Sequence, residues 1–278
     1  MPEILSSTGQ LDQLRRKRLI FAVTTGRSGT AYLASIFGYA RNVYSVHEPA
    51  PEFVKVLRDV QRDPQLAMDF WLREKIPTIL QTPTDTYIET SHLVCKGFLD
   101  VLLELKITPD LILHRRPARD VAQSMFAMGT IPGRSDKGLA FYLSPDDPGV
   151  LSLPQWGKLH DYQLCYWYCL EIERRAAVYG ALFKAAGARI AETTLTGLKS
   201  FSGLKTCFSD LELDMRRPVW LTRFLFARAT RVKVNQSLET KKKVSVPENI
   251  SEMEREVISL IDSKDLRDIL RTVTCMDG

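Results

Sequence analysis

Runs of apolar residues divide the chain into short buried strands separated by helical stretches. Residues 19–23 (LIFAV) are continuously apolar and partly β-branched, as a strand buried on both faces must be. They run directly into the loop Thr24-Thr-Gly-Arg-Ser-Gly-Thr30, after which residues 31–39 have helical spacing. Residues 92–98 (HLVCKGF) predict another strand, followed by a short helix up to about Lys106. Residues 110–114 (DLILH) predict a further strand, with a helix over 118–128 behind it. The stretch 129–154 is rich in Gly, Pro, Asp and Ser and predicts a long loop or lid. Residues 156–186 form the longest helical stretch, and 189–195 predict one more strand.

Strands alternating with helices imply an α/β fold, a mainly parallel β-sheet with helices on both faces. With 278 residues and no internal repeat, the whole chain reads as one domain, with 1–17 as an N-terminal extension and 129–155 as a loop or lid. Residues 209–247 show no clear period and contain the run Lys241-Lys-Lys243. A last helical stretch begins near Ser251, where Ser251 and Glu254 have capping-box spacing.

Composition narrows the class without naming a chemistry. Hydrophobic residues make up 45% and charged residues 26%, as in soluble globular proteins. No segment approaches the ~20 apolar residues that span a bilayer, and the N-terminus has no apolar signal region, so a cytoplasmic protein with no membrane partner is expected. Cys95, Cys165, Cys169, Cys207 and Cys275 are scattered and odd in number, which predicts reduced thiols and no metal site. The net charge of +5 suits an anionic small ligand and equally a solubility bias. No nucleic-acid motif is present, and nucleic acid is not an expected partner.

The loop after the first strand is the first candidate for chemistry. Backbone N–H groups at a glycine turn and at a helix start converge on one anion position, which the helix dipole favours. Ser28 and Thr30 add hydroxyls, and Arg27 adds a permanent charge with a two-pronged donor. The loop lacks the G-x-x-x-x-G-K-[ST] pattern, so it has no lysine placed for an ATP γ-phosphate. A βα turn with a solvated arginine would carry the same residues.

TTGRSGTAYL resembles the 5'-phosphosulfate loop of the sulfotransferase superfamily, with Arg27 as in the tyrosylprotein and carbohydrate branches. A second segment, LILHRRPARDVAQS from Leu111 to Ser124, resembles that superfamily's 3'-phosphate site: an arginine at a strand end and a serine eight positions on. Arg116 and Ser124 have that spacing, and Arg115 takes the arginine's place if the turn shifts by one residue. The resemblance implies a P-loop-like sulfotransferase fold and the donor 3'-phosphoadenosine 5'-phosphosulfate (PAPS), with PAP as product and no metal. It puts the donor against Arg27, Ser28, Gly29, Thr30, Ala31, Arg116 and Ser124, with Arg115 as the alternative. Lys233 and Asn235 take the position of a closing C-terminal loop, although the cytosolic branch's R-K-G core is missing.

Sulfuryl transfer needs a base for the acceptor's proton. Lys96 matches a strand-end lysine of the cytosolic branch, but Phe98 stands where that branch has its histidine. By resemblance to the tyrosylprotein branch the base is Glu48, 21 residues after Arg27, with His47 as the competitor. Neighbours on a strand face opposite sides, so the two should not share a cleft. Arg27, and with it Lys96, would stabilise the leaving oxygen, while Glu89 and His92 would line the acceptor pocket. The expected acceptor is a hydroxyl or amine of a small molecule, glycan or natural product. The cytosolic branch's dimerisation motif is absent and oligomeric state stays open. A kinase-like phosphotransferase and an inactive nucleotide-binding module are the alternatives.

Overall fold

The computed structural model describes residues 9–229 and 247–261. β1 (Arg18–Val23) leads to α1 (Thr30–Ile36), β2 (Val43–Val46), the helices α2 (Leu57–Arg62), α3 (Gln65–Phe70) and α4 (Ile76–Leu80), and β3 (Thr86–Glu89). Then come α5 (Leu99–Glu104), β4 (Asp110–Arg115), α6 (Ala118–Ala127), α7 (Asp136–Phe141), the long α8 (Asp161–Ala185) and β5 (Ile190–Thr194). α9 (Phe201–Asp210), α10 (Val219–Ala229) and α11 (Ile250–Leu260) follow β5.

The five strands form one parallel sheet in the order β2-β3-β1-β4-β5. Alternation along β1 explains why its sequence is apolar throughout. Leu19, Phe21 and Val23 enter one core layer with Trp71, Phe98, Trp167 and Phe183, whereas Ile20 and Ala22 enter the other with Leu33, Ile36, Leu204 and Phe208. Ring pairs consolidate the first layer: Phe21 and Trp71 meet edge-on with centroids 5.7 Å apart, and Phe53 and Phe98 stand tilted at 4.7 Å. In the second layer Phe37 and Phe208 stack at 5.8 Å.

This strand order creates the site's location. The chain leaves β1 toward β2 on one side, and leaves β4 toward β5 on the other. β1 and β4 are neighbours, with Val23 opposite Leu113. Their carboxyl ends therefore border a topological switch point, where open α/β sheets leave a crevice for ligands.

Three elements differ from the expectation. Residues 92–98 are a chain of turns and not a strand; the strand is Thr86–Glu89, just before them. Leu93, Val94, Cys95 and Phe98 are buried, but Gly97 sits at φ 97° and the Lys96 N–H closes a turn onto the Leu93 carbonyl. Their apolar composition records burial alone. The stretch 129–154 contains α7, capped by the Ser135 hydroxyl on the Gly138 N–H. At the last helix Asn249 is the N-cap, and Ser251 and Glu254 instead receive the guanidinium of Arg119.

Candidate functional site

The turn after β1 is held by its own side chains. The Ser28 hydroxyl donates to the Thr25 carbonyl at 2.7 Å and lies 2.8 Å from Thr24 Oγ1. Ser28 is fully buried, so its hydroxyl shapes the loop and is not the free donor the sequence suggested. Arg27 and Gly29 both adopt left-handed backbone, at φ 66° and 95°. At Gly29 a Cβ would stand 2.7 Å from Leu195 Cδ1, so only glycine fits without a shift. Gly29 is also the N-cap of α1 and offers no side chain to the helix's first amides, Thr30 and Ala31 among them. The Thr30 carbonyl is taken by the Thr90 hydroxyl at 2.9 Å, tying the loop to the end of β3.

The turn after β4 meets this loop. Arg116 Nη1 donates to the Arg27 carbonyl at 2.9 Å, and Arg27 Nε stands 3.4 Å from Ser124 Oγ on α6. His114, one strand position past the Val23–Leu113 pair, donates from Nε2 to the Ser28 carbonyl at 3.1 Å and has Nδ1 2.9 Å from the Thr193 hydroxyl. Burial pushes His114 down to about 4, so it is neutral at pH 7. Arg115 borders the same pocket as Arg116 but is held by carboxylates: it is 4% exposed and bound at 2.8 Å to both Glu173 and Glu192. Arg116 keeps 30% exposure beside a pocket of about 380 Å³ that also takes in Tyr166, Leu170, Thr194 and Thr196.

The candidate base region lies on the other flank of the loop. His47 and Glu48 follow the end of β2 and are not strand residues. They nevertheless diverge. Nδ1 of the exposed His47 reaches the Thr90 carbonyl at 3.3 Å, whereas Glu48, in left-handed backbone at φ 45°, points its carboxylate at His92 Nε2, 3.4 Å away. Glu48 also borders a pocket of about 250 Å³ with Glu52, Phe53, Glu89, Leu93 and Phe141.

Lys96 is fully buried, contrary to the expected strand-end lysine near the donor. Its ammonium lies 3.0 Å from His92 Nδ1, donates to the Phe141 carbonyl at 2.5 Å and sits over the rings of Tyr142 and Tyr168 at 5.1 Å. Burial pushes it down to about 7, against the pull of Cys95 and Glu48. Burial, reinforced by Lys96, His47 and Arg27, holds His92 well below its ordinary value, so its ring is neutral. His92 also packs under the first loop, where a Cβ on Gly26 would lie 3.3 Å from its Cε1.

No family model matches the chain, and no curated protein matches it. Among solved structures it is similar to mouse sulfotransferase SULT7A1 complexed with PAP, at 15% identity, covering 93% of this chain and 85% of that chain, with a TM-score of 0.42. A likeness this shallow leaves the site's own residues to carry any functional reading.

One structural feature of the site has no signal in the sequence. Lys75, 1% exposed, donates to Glu89 at 2.9 Å and to the Pro51 carbonyl at 3.1 Å, while the Tyr87 hydroxyl donates to the same carboxylate at 2.6 Å. This buried pair fastens the segment that follows Glu48 onto β3. Lys233 and Asn235, the proposed closing-loop residues, lie outside the described residues, as do Cys275 and the Lys241–Lys243 run. Cys95, Cys165, Cys169 and Cys207 are buried free thiols. Among the described residues no cluster of three or more His, Cys, Asp or Glu is placed to hold a metal ion, and no helix is long and apolar enough to cross a membrane.

Proposed function

We propose that the protein is a sulfotransferase that uses PAPS as donor and a hydroxyl or amine of a small molecule or glycan as acceptor. The observation that carries this reading is the meeting of Arg116, Arg27 and Ser124 at the β1–β4 switch point. Two guanidinium groups, one hydroxyl and the amides of a glycine turn gather where a doubly phosphorylated nucleotide would bind. PAPS bound there supplies the sulfuryl group, and PAP is the leaving product.

Each residue then has a defined task. Arg116 and Ser124 hold the 3'-phosphate, and the backbone of Arg27 to Ala31 holds the 5' side. Glu48 takes the acceptor's proton as the acceptor oxygen bonds to sulfur. Arg27 meets the charge that develops on the bridging oxygen as the old sulfur–oxygen bond breaks. The pocket bounded by Glu48, Phe53 and Phe141 receives the acceptor.

Incubation with sulfur-labelled PAPS and a panel of hydroxyl and amine acceptors tests the reading. Labelled product together with stoichiometric PAP is the expected outcome. PAP binding without turnover on any acceptor would make the chain a binding module, and phosphoryl transfer from ATP with magnesium would make it kinase-like.

A further inference from the structure

We infer that His92 is a positioning residue for Glu48, held by Lys96 in the tautomer that carries its proton on Nε2. The inference rests on the sulfotransferase reading for its kinetic arm only. The network runs from the Phe141 carbonyl through Lys96 Nζ at 2.5 Å, across His92 Nδ1 at 3.0 Å, and out from His92 Nε2 to Glu48 Oε1 at 3.4 Å. Lys96 Nζ donates along this line, as it does to the Phe141 carbonyl, and the carboxylate of Glu48 is an acceptor, so His92 accepts at Nδ1 and presents a hydrogen at Nε2. A neutral ring that accepts at Nδ1 carries its hydrogen at Nε2, and that hydrogen faces the Glu48 carboxylate.

Two consequences separate this from a histidine that merely packs. His92 is not the proton acceptor, because its one lone pair is already taken by Lys96. Lys96 does not meet the donor, because it is sealed behind the ring with Tyr142 and Tyr168 and has no exposed surface. What the pair supplies is aim: one oxygen of Glu48 is fixed by His92, leaving the other to face the pocket it borders with Phe53 and Phe141.

Glutamine at position 92 can imitate this one tautomer, since its carbonyl accepts from Lys96 and its amide donates to Glu48. Leucine can do neither. The test is therefore His92→Gln beside His92→Leu, with PAP affinity, kcat and the ring's nitrogen NMR shifts measured on the full chain. We expect PAP affinity unchanged in both, kcat within about fivefold of wild type in His92→Gln, and a fall of roughly 10²-fold in His92→Leu, the scale of a misplaced reacting group. Nitrogen shifts of the wild-type ring should show Nδ1 bare and Nε2 protonated at neutral pH. Equal inactivity of the two variants would overturn the inference by giving the ring nitrogen a part in the chemistry. Wild-type rates in both, or an Nδ1-protonated ring, would also overturn it. Failure of wild-type PAP binding would strike the sulfotransferase reading instead, and the tautomer measurement would still decide the network.

Discussion

Arg27 and Ser124, 97 residues apart in the chain, stand with the guanidinium Nε 3.4 Å from the hydroxyl oxygen. One belongs to the turn after β1 and the other to the helix after β4, so their meeting follows from the strand order. The guanidinium donates and the hydroxyl oxygen accepts, which leaves the hydroxyl's own proton for another acceptor. The turns proposed to hold the two ends of the nucleotide therefore touch directly, and a phosphate at either turn gains a charge-assisted bond.

Glu48→Gln isolates the proposed base. Glutamine keeps an oxygen for His92 but takes no proton from an acceptor. PAP affinity should be retained while kcat falls by roughly 10²–10⁴-fold, the usual share of a positioned general base. Steady-state kinetics with calorimetry on the same preparation checks it. Retention of full turnover would move the base elsewhere.

The Lys75–Glu89 pair should matter to folding more than its distance from the phosphate turns suggests. Both side chains are essentially unexposed, and burial already raises Glu89 despite the lysine. Lys75→Met leaves a buried carboxylate without its cation and should cost about 3–5 kcal/mol in urea unfolding. The double change Lys75→Met with Glu89→Gln should recover part of that loss, because no lone buried charge remains.

His114 predicts an acid-sensitive stability. Its folded pKa of about 4 lies below the ordinary 6.5, so the unfolded chain binds the proton first as pH falls. The stabilisation is complete above pH 6.5 and is lost progressively between there and about 4, to a total of about 3 kcal/mol. Urea unfolding at a series of pH values should show this slope on top of the carboxylate contribution. In His114→Gln that share of the slope should disappear.

The α/β class and the parallel sheet were legible because buried parallel strands must be apolar on both faces, as residues 19–23 and 111–113 are. The glycine turn was legible for a local reason: Gly29 takes left-handed backbone at φ 95°, which glycine adopts without strain. Residues 92–98 misled because burial without strand geometry produces the same apolar run, and the short polar-edged Thr86–Glu89 carries the ladder instead. Arg115 and Arg116 were indistinguishable in sequence; the carboxylates that claim Arg115 come from α8 and β5, far along the chain. Lys75 left no trace for a related reason. It lies 14 residues from Glu89 on a helical stretch, where a lysine is ordinarily exposed.

Calorimetric titration of the protein with PAP, beside ATP with magnesium, tests the central claim most directly. The account predicts that PAP binds and that Arg116→Ala weakens it by roughly 10–100-fold, the loss of one charge-assisted phosphate contact. No heat with PAP, or an affinity indifferent to Arg116→Ala, would contradict it.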